Sequence, residues 1–257
     1  MSRLWHVDPD AMMVRRREEP IDVPSHSRLS LGLFTDAEAR TIAVNQYVGG
    51  GMVCFTEKFC EMDSDRKALY RHVIPSVNAP SRSLDYFAPR CPSLLRTLVQ
   101  PVSPDLAPWA TVAVCNWDDE PRERTLVLSE QVLEDLAGER FLAYEFFSQR
   151  LLGVFGRGEA APLGTLPAHG SAVVKVLPWD GHTPALLATD LHFSMGGVEV
   201  AACRAEDDAL RGRLETGWRY PVSVTAVFPG GADGEAQTAS VTVPPGEREF
   251  AIRRPAG

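Results

Sequence analysis

No apolar run in this 257-residue chain approaches the roughly 20 residues that a membrane-spanning helix requires, so no membrane partner is expected. Nor does the N-terminus hold the apolar core of a secretion signal, because Asp8, Asp10 and the arginines at 15–17 interrupt it. Positive charge is scarce: 26 Lys and Arg stand against 34 Asp and Glu, for a net charge of −8, which speaks against nucleic acid as a partner. The one short basic run, Arg15, Arg16 and Arg17, is answered at once by Glu18 and Glu19 and reads as a solvated loop. Five cysteines, Cys54, Cys60, Cys91, Cys115 and Cys203, are odd in number and show no Cys-x-x-Cys or Cys/His spacing suited to zinc. They read as reduced thiols of a cytoplasmic protein, and neither a metal nor another cofactor is expected. A G-x-S-x-G nucleophile elbow is missing as well, and the glycines at 49–51 lack the strand-to-helix G-x-G-x-x-G context of a phosphate cradle.

What is present changes its pattern along the chain. Up to about residue 95, short apolar runs alternate with helical periodicity. In TDAEARTIAVNQYV, Thr35 and Glu38 form a capping-box pair, and Ala39, Ile42, Ala43 and Tyr47 follow helical spacing. GGGMVCF then reads as an apolar strand of a parallel sheet. A second helix is expected in SDRKALYRHVIP, capped by Ser64 and ended before Pro75. Some 95 residues with two strands cannot close a barrel of eight strand–helix units, which takes around 250 residues, so this half reads as the last part of one. The proline-rich stretch at 96–108 reads as a linker. From Trp109 the pattern is β: WATVAVCNW, RTLVLS, FLAYEFF, LLGVF, SAVVKVL, GVEVAAC, YPVSVTAVF, ASVTVPP and REFAIRR are short Val-, Leu- and aromatic-rich runs punctuated by turn residues. They predict an antiparallel β-sandwich over 109–218, with a hairpin or extension of it over 219–257 and a brief helix in EQVLEDLAG. The fold class is therefore α/β plus all-β: a partial (β/α) barrel followed by an antiparallel sandwich.

These runs carry a resemblance. RLWHVDPDAMMVR is similar to the R-L-W-x-N-D-P-D-x-L-x-V-R segment of α-galactosidase-like (melibiase) glycoside hydrolases of the family 27 and 36 clan. In the same order, LFTDAEARTIAVNQYVGGGMVCFTEKFCEMDSDRKALYRHVIP resembles their late helix, last barrel strand and final helix. VAVCNWDDEPRERTLVLS, FLAYEFFSQRLLGVF and LPAHGSAVVKVLPWDGHTPALLATDLHFSMGGVEV resemble segments of their C-terminal β-domain. The cover runs from about Arg3 to Val200. It implies a barrel followed by a β-domain, and hydrolysis of terminal α-D-galactosides with retention, which uses two carboxyl groups about 5–5.5 Å apart. The family's nucleophile and acid/base lie in segments without a counterpart here. The resemblance thus implies a C-terminal portion that is inactive alone, with an upstream chain or a second copy as the partner that completes the barrel and an α-galactoside or other saccharide as ligand.

Asp8 and Asp10 are two apart and would approach a sugar from one side, so they do not form an opposed catalytic pair. By resemblance Asp10 lines the sugar pocket, while Asp8 is structural. Thr56 and Glu57 replace the family's Ser-Asp at the C-terminal end of the last barrel strand. Glu57 could enter a pocket there, although a surface carboxylate beside Lys58 is the simpler reading. Glu145 reads as a buried, hydrogen-bonded acid, Asp118 and Asp119 as turn residues, and His169 and His192 as structural histidines. The five tryptophans read as core. A second class of function is a carbohydrate-binding or protein-interaction sandwich without catalysis, which would need exposed aromatic residues along a groove.

Overall fold

Strict alternation of apolar side chains in the long strands sets the architecture of this computed structural model, which describes residues 10–16, 34–77, 79, 81–87, 91–206, 208–230 and 235–255. Asp8 and Trp5 lie outside the described residues. The order begins β1 (Ala11–Met12), α1 (Asp36–Gly49), β2 (Cys54–Phe55) and α2 (Ser64–Arg71). It continues with β3 (Arg82–Ser83), β4 (Leu94–Val99), β5 (Trp109–Cys115), β6 (Arg122–Val127), β7 (Arg140–Glu145) and β8 (Arg150–Gly156). Next come β9 (Ala160–Leu166), β10 (Ser171–Pro178), β11 (Ala185–Thr189), β12 (Val200–Ala205) and β13 (Ala209–Leu214). The last three are β14 (Val222–Pro229), β15 (Ala236–Val243) and β16 (Glu249–Arg253). The described residues are mostly β, with two helices and several antiparallel sheets among them.

A six-stranded antiparallel sheet in the order β3-β4-β5-β10-β7-β8 lies at the centre. Ala110, Val112 and Val114 of β5 and Ala172, Val174 and Val176 of β10 point to one face, where Leu126, Leu128, Leu133 and Ala161 of the β6–β9 layer cover them. Trp109, Ala113, Val173 and Leu177 point to the other face and meet Ala43, Val44 and Tyr47 of α1, Tyr70 of α2, and Leu187 and Val227. This period of two is what a sheet covered on both sides demands. Behind β11 and β14 a third core forms between the β11-β14-β15 and β12-β13-β16 sheets, built from Val200, Leu210, Val224, Ala226, Phe228, Phe250 and Ile252 among others. The edge strand β12 is blunted: Asp105 accepts the Cys203 amide at 3.2 Å, which caps an open ladder position.

Among the described residues of the first half, β1 and β2 form a parallel pair in which Ala11 faces Cys54 and Met12 faces Phe55. Helix α1 connects the two, giving a βαβ unit. Its capping box is present in full: the Thr35 hydroxyl accepts the Glu38 amide, and the Glu38 carboxylate accepts the Thr35 amide at 2.8 Å. The helix ends on Gly50, whose φ of 61° suits a glycine C-cap.

Several expectations need correction. All nine runs read as strands contain strands, but β4 begins inside the segment read as a linker and pairs along its length with β5. Its LLRTLV pattern alternates, and the flanking prolines frame the strand. Arg96 within it is buried because its guanidinium donates to the Val132 carbonyl at 2.8 Å and to the Glu134 carbonyl. EQVLEDLAG forms successive turns and no helix; Val132, Leu133 and Leu136 are drawn separately into the core beneath the sheet. Helix α2 takes Asp63 as its N-cap, so Ser64 is its first residue. The apolar strand read in GGGMVCF is two residues long, with Phe55 48% and Met52 53% exposed, because only β1 pairs with it among the described residues.

Candidate functional site

The acids singled out in the sequence fall at opposite ends of the short β1–β2 pair. Asp10 precedes β1 and is exposed, with a φ of 67°. A non-glycine residue in this region is uncommon, and aspartate is among the side chains that tolerate it by bonding locally. Asp10 does so, its carboxylate accepting the Ala11 amide at 2.7 Å. From α1, buried Gln46 donates to the Asp10 carbonyl at 2.9 Å, while its own carbonyl oxygen has no partner among the described residues. Gln46 was missed in the sequence. The signal was there, since it sits beside Tyr47 on the apolar stripe of α1, where a polar residue has to be accounted for.

Glu57 follows β2, and its side chain is only 1% exposed. Both oxygens are taken: Oε1 accepts the Val14 amide at 2.8 Å and Oε2 meets the Arg15 guanidinium at 3.2 Å. The surface-carboxylate reading does not hold, and the reason is Arg15. In the sequence it belongs to a basic run that looks solvated; in the fold it turns inward at 7% exposure while Arg16 turns outward. Arg16 reaches Asp36, Asp63 and Asp65 at 3.0, 3.3 and 2.5 Å. Asp36 and Asp65 raise its affinity for the proton, and Asp36 in turn is held below its ordinary range, chiefly by Arg16. Buried Arg66 donates to the carbonyls of Val14, Phe34 and Thr35 and to Asp36 at 2.6 Å. The Tyr70 hydroxyl, its pKa raised by burial, donates to the Met12 carbonyl at 2.8 Å. Residues 10–16 are therefore riveted to both helices, and Glu57 is one of the rivets.

The remaining candidates are in the β-domain. Glu145 is buried and accepts the amides of Phe147, Ser148 and Val173 at 3.1, 2.6 and 3.4 Å, which organises the β7–β8 turn. Asp118 and Asp119 lie in the turn between β5 and β6, where Asp118 meets Arg122 at 3.1 Å and Asp119 meets His169 at 3.1 Å. His192 is buried beside Ser194 at 2.8 Å, and burial lowers its pKa. Ser194 donates onward to Glu199 at 3.1 Å, and Glu199 also accepts the Thr189 hydroxyl and the amides of Gly196 and Val198. The acid here grips the serine and loop amides, not the histidine, and the group is closed to solvent, so it fixes a loop and offers no nucleophile. His72 Nδ1 donates to the Leu191 carbonyl at 2.8 Å, and burial holds its pKa down at about 4. Among the described residues no three His, Cys, Asp or Glu side chains gather as metal ligands, all five cysteines are free, and no helix is long and apolar enough to cross a membrane.

No family model and no curated protein matches this chain. Part of it is structurally similar to solved family 27 glycoside hydrolases. α-Galactosidase I from Mortierella vinacea is similar over 59% of this chain and 38% of its own, at 12% identity and a TM-score of 0.44. A GH27 β-L-arabinopyranosidase from Geobacillus stearothermophilus is similar over 60% and 32%, at 17% identity and a TM-score of 0.41. The α-galactosidase of Saccharomyces cerevisiae, solved with raffinose, is similar over 58% and 45%, at 13% identity and a TM-score of 0.42. In each case the matched part spans less than half of the solved protein.

Proposed function

We propose that this chain is the C-terminal part of an α-galactosidase-like retaining glycoside hydrolase acting on α-D-galactosides, and that it does not turn over substrate by itself. The observation that carries the reading is the βαβ unit of β1, α1 and β2: it leaves Asp10 exposed at one end and commits both oxygens of Glu57 to Arg15 and Val14. Retention needs one carboxylate to attack the anomeric carbon and another to protonate the leaving oxygen from an opposed position. Glu57, tied up by a guanidinium and an amide, serves neither role. Asp10 remains as a pocket wall that would accept hydrogen bonds from sugar hydroxyls, so the reacting pair has to come from residues other than these. An upstream polypeptide, or a second copy of the chain, supplies them by adding strands beside β1 and β2. The ordered run of family-like motifs from Arg3 to Val200 supports the same conclusion.

The test is release of p-nitrophenol from p-nitrophenyl α-D-galactoside by the chain alone and by the chain mixed with a polypeptide that completes the barrel. We expect none from the first and turnover from the second, reduced in Asp10→Asn. Strong turnover by the isolated chain, abolished in Asp10→Asn, overturns the reading.

One observation favours the second class of function, a carbohydrate-binding sandwich. Tyr86 and Phe87, 61% and 97% exposed, stand edge to face beyond β3. Against it, Trp109 and Trp179 are buried, Trp117 and Trp218 are half-buried, and Trp117 is tied to the Pro92 carbonyl at 2.8 Å. Saccharide titration followed by tryptophan fluorescence, in the native chain and in Tyr86→Ala, separates the two.

A further inference from the structure

Two cavities flank the seam between the helices and the β-domain, and Asp10 and Glu57 line neither of them. One, of about 530 Å³, lies between the start of α1, the β7–β8 turn and the strand β10. That is within the roughly 300–1,000 Å³ of small-molecule sites. The other, of about 240 Å³, lies between α1, α2 and the same turn. They share three wall residues, Asp36, Arg40 and Phe147, with the Arg40 guanidinium 5.2 Å from the centre of the Phe147 ring.

The chemistry of the walls is selective. Asp36 meets Arg66 at 2.6 Å and Arg16 at 3.0 Å. Arg40 and Arg150 form no ion pair with a described carboxylate, and two acids in the walls, Glu145 and Asp190, are held by backbone amides and not by cations. Asp190 accepts the Ser223 amide at 2.9 Å, and burial raises its pKa. With Asp65 also in the wall of the smaller cavity, four carboxylates, Asp36, Asp65, Glu145 and Asp190, stand against three guanidiniums, Arg40, Arg66 and Arg150, so neither sign dominates and a strongly charged ligand of either sign gains little. A neutral molecule carrying many hydroxyl groups can use guanidinium donors, carboxylate acceptors and an aromatic wall together.

A second, independent feature is Gln149. It walls the smaller cavity at a φ of 50°, in a turn where glycine would sit without strain. Strain retained at a side chain lining a cavity is a pointer to use.

We propose that this seam is a binding site for a neutral oligosaccharide, separate from the position of Asp10, with Arg40 and Gln149 as hydrogen-bonding residues and Phe147 as the apolar wall. The site would let a glycosidase hold a sugar chain away from the bond being cut.

The experiment is isothermal titration of the full chain with melibiose, raffinose, cellobiose and maltotriose, with glucose 6-phosphate as the charged comparison. Saturable binding of at least one neutral sugar is expected, weakened at least tenfold in Gln149→Gly and in Arg40→Ala. Gln149→Gly should melt no lower than the native chain, since glycine relieves the backbone, so its loss of binding cannot be attributed to unfolding. No saturable binding across the panel overturns the proposal, as does binding unchanged in both variants or tighter binding of the sugar phosphate. Binding lost in Asp10→Asn but kept in Gln149→Gly assigns the sugar to the Asp10 pocket, which overturns this proposal and leaves the glycosidase reading standing.

Discussion

Replacing Lys175 with methionine should change how stability depends on pH, and the size of the change follows from where the ammonium sits. Lys175 is fully buried on the helix-covered face of the central sheet. Its Nζ donates to the carbonyls of Leu186 and Met195 at 3.2 and 3.0 Å and lies 3.7 Å from the centre of the Trp109 ring. No carboxylate among the described residues comes within ion-pair distance. Desolvation therefore dominates, and it lowers the pKa from 10.5 to about 7 against the opposing pull of Glu199. At about 1.4 kcal/mol per pKa unit, the charged form is disfavoured in the folded state by something on the order of 5 kcal/mol. The folded pKa lies below the unfolded one, so between pH 7 and 10.5 the unfolded chain binds more protons and stability rises with pH. Below pH 7 the cost is fully present. Methionine has no proton to gain and fills a similar volume.

Urea unfolding of the native chain and Lys175→Met, at pH 7 and pH 9 in one buffer, measures the difference directly. All other titrations cancel between the two proteins. The variant should be at least as stable at pH 7, in keeping with the neutral-to-favourable outcome of replacing buried charge. Its advantage should shrink by about 2 kcal/mol at pH 9, as the linkage requires. A difference that is the same at the two pH values would refute the reasoning, because it would mean that Lys175 carries no displaced proton.

Other perturbations test the remaining joints. Arg15→Ala leaves Glu57 charged and buried without its guanidinium and should cost about 3–5 kcal/mol in urea unfolding; the additional change Glu57→Gln should recover part of it. Thr35→Ala removes one half of the capping box on α1 and should cost about 1 kcal/mol, seen as a lower urea midpoint with an unchanged slope. Gly212→Ala places a Cβ 2.3 Å from the Phe250 ring and 2.5 Å from the Ala202 carbonyl, so the third core has to shift, with an expected loss of about 1–3 kcal/mol in thermal unfolding.

The parts of this fold that were legible in the sequence are those governed by neighbours along the chain. Helix α1 is an example: Thr35, Glu38 and the spacing from Ala39 to Tyr47 are local signals, and the helix they predict is present, cap included. The strands β5, β7 and β10 also announced themselves through apolar runs bounded by turns. By contrast β9, with Pro162 and a Gly164 at φ 75°, carries the marks of a turn, yet it pairs with β6. The nine-residue stretch after Ser129 has helical spacing, but the face it would bury is taken up residue by residue under the central sheet. For the candidate site, Asp10 was legible as an acid of interest, whereas the partner of Glu57 was not, because Arg15 is 42 residues away in sequence and disguised in a basic run.

Composition, periodicity and caps thus determined by themselves that the chain divides into a helical first part and a β-rich second part, since each rests on interactions spanning only a few residues. Which carboxylates stay exposed, which arginine turns inward, why a lysine is buried over Trp109 and where the Arg40–Phe147 seam opens were decided only in the tertiary structure. Those outcomes depend on desolvation and on pairing between groups far apart along the chain, and such free energies do not exist until the layers have packed.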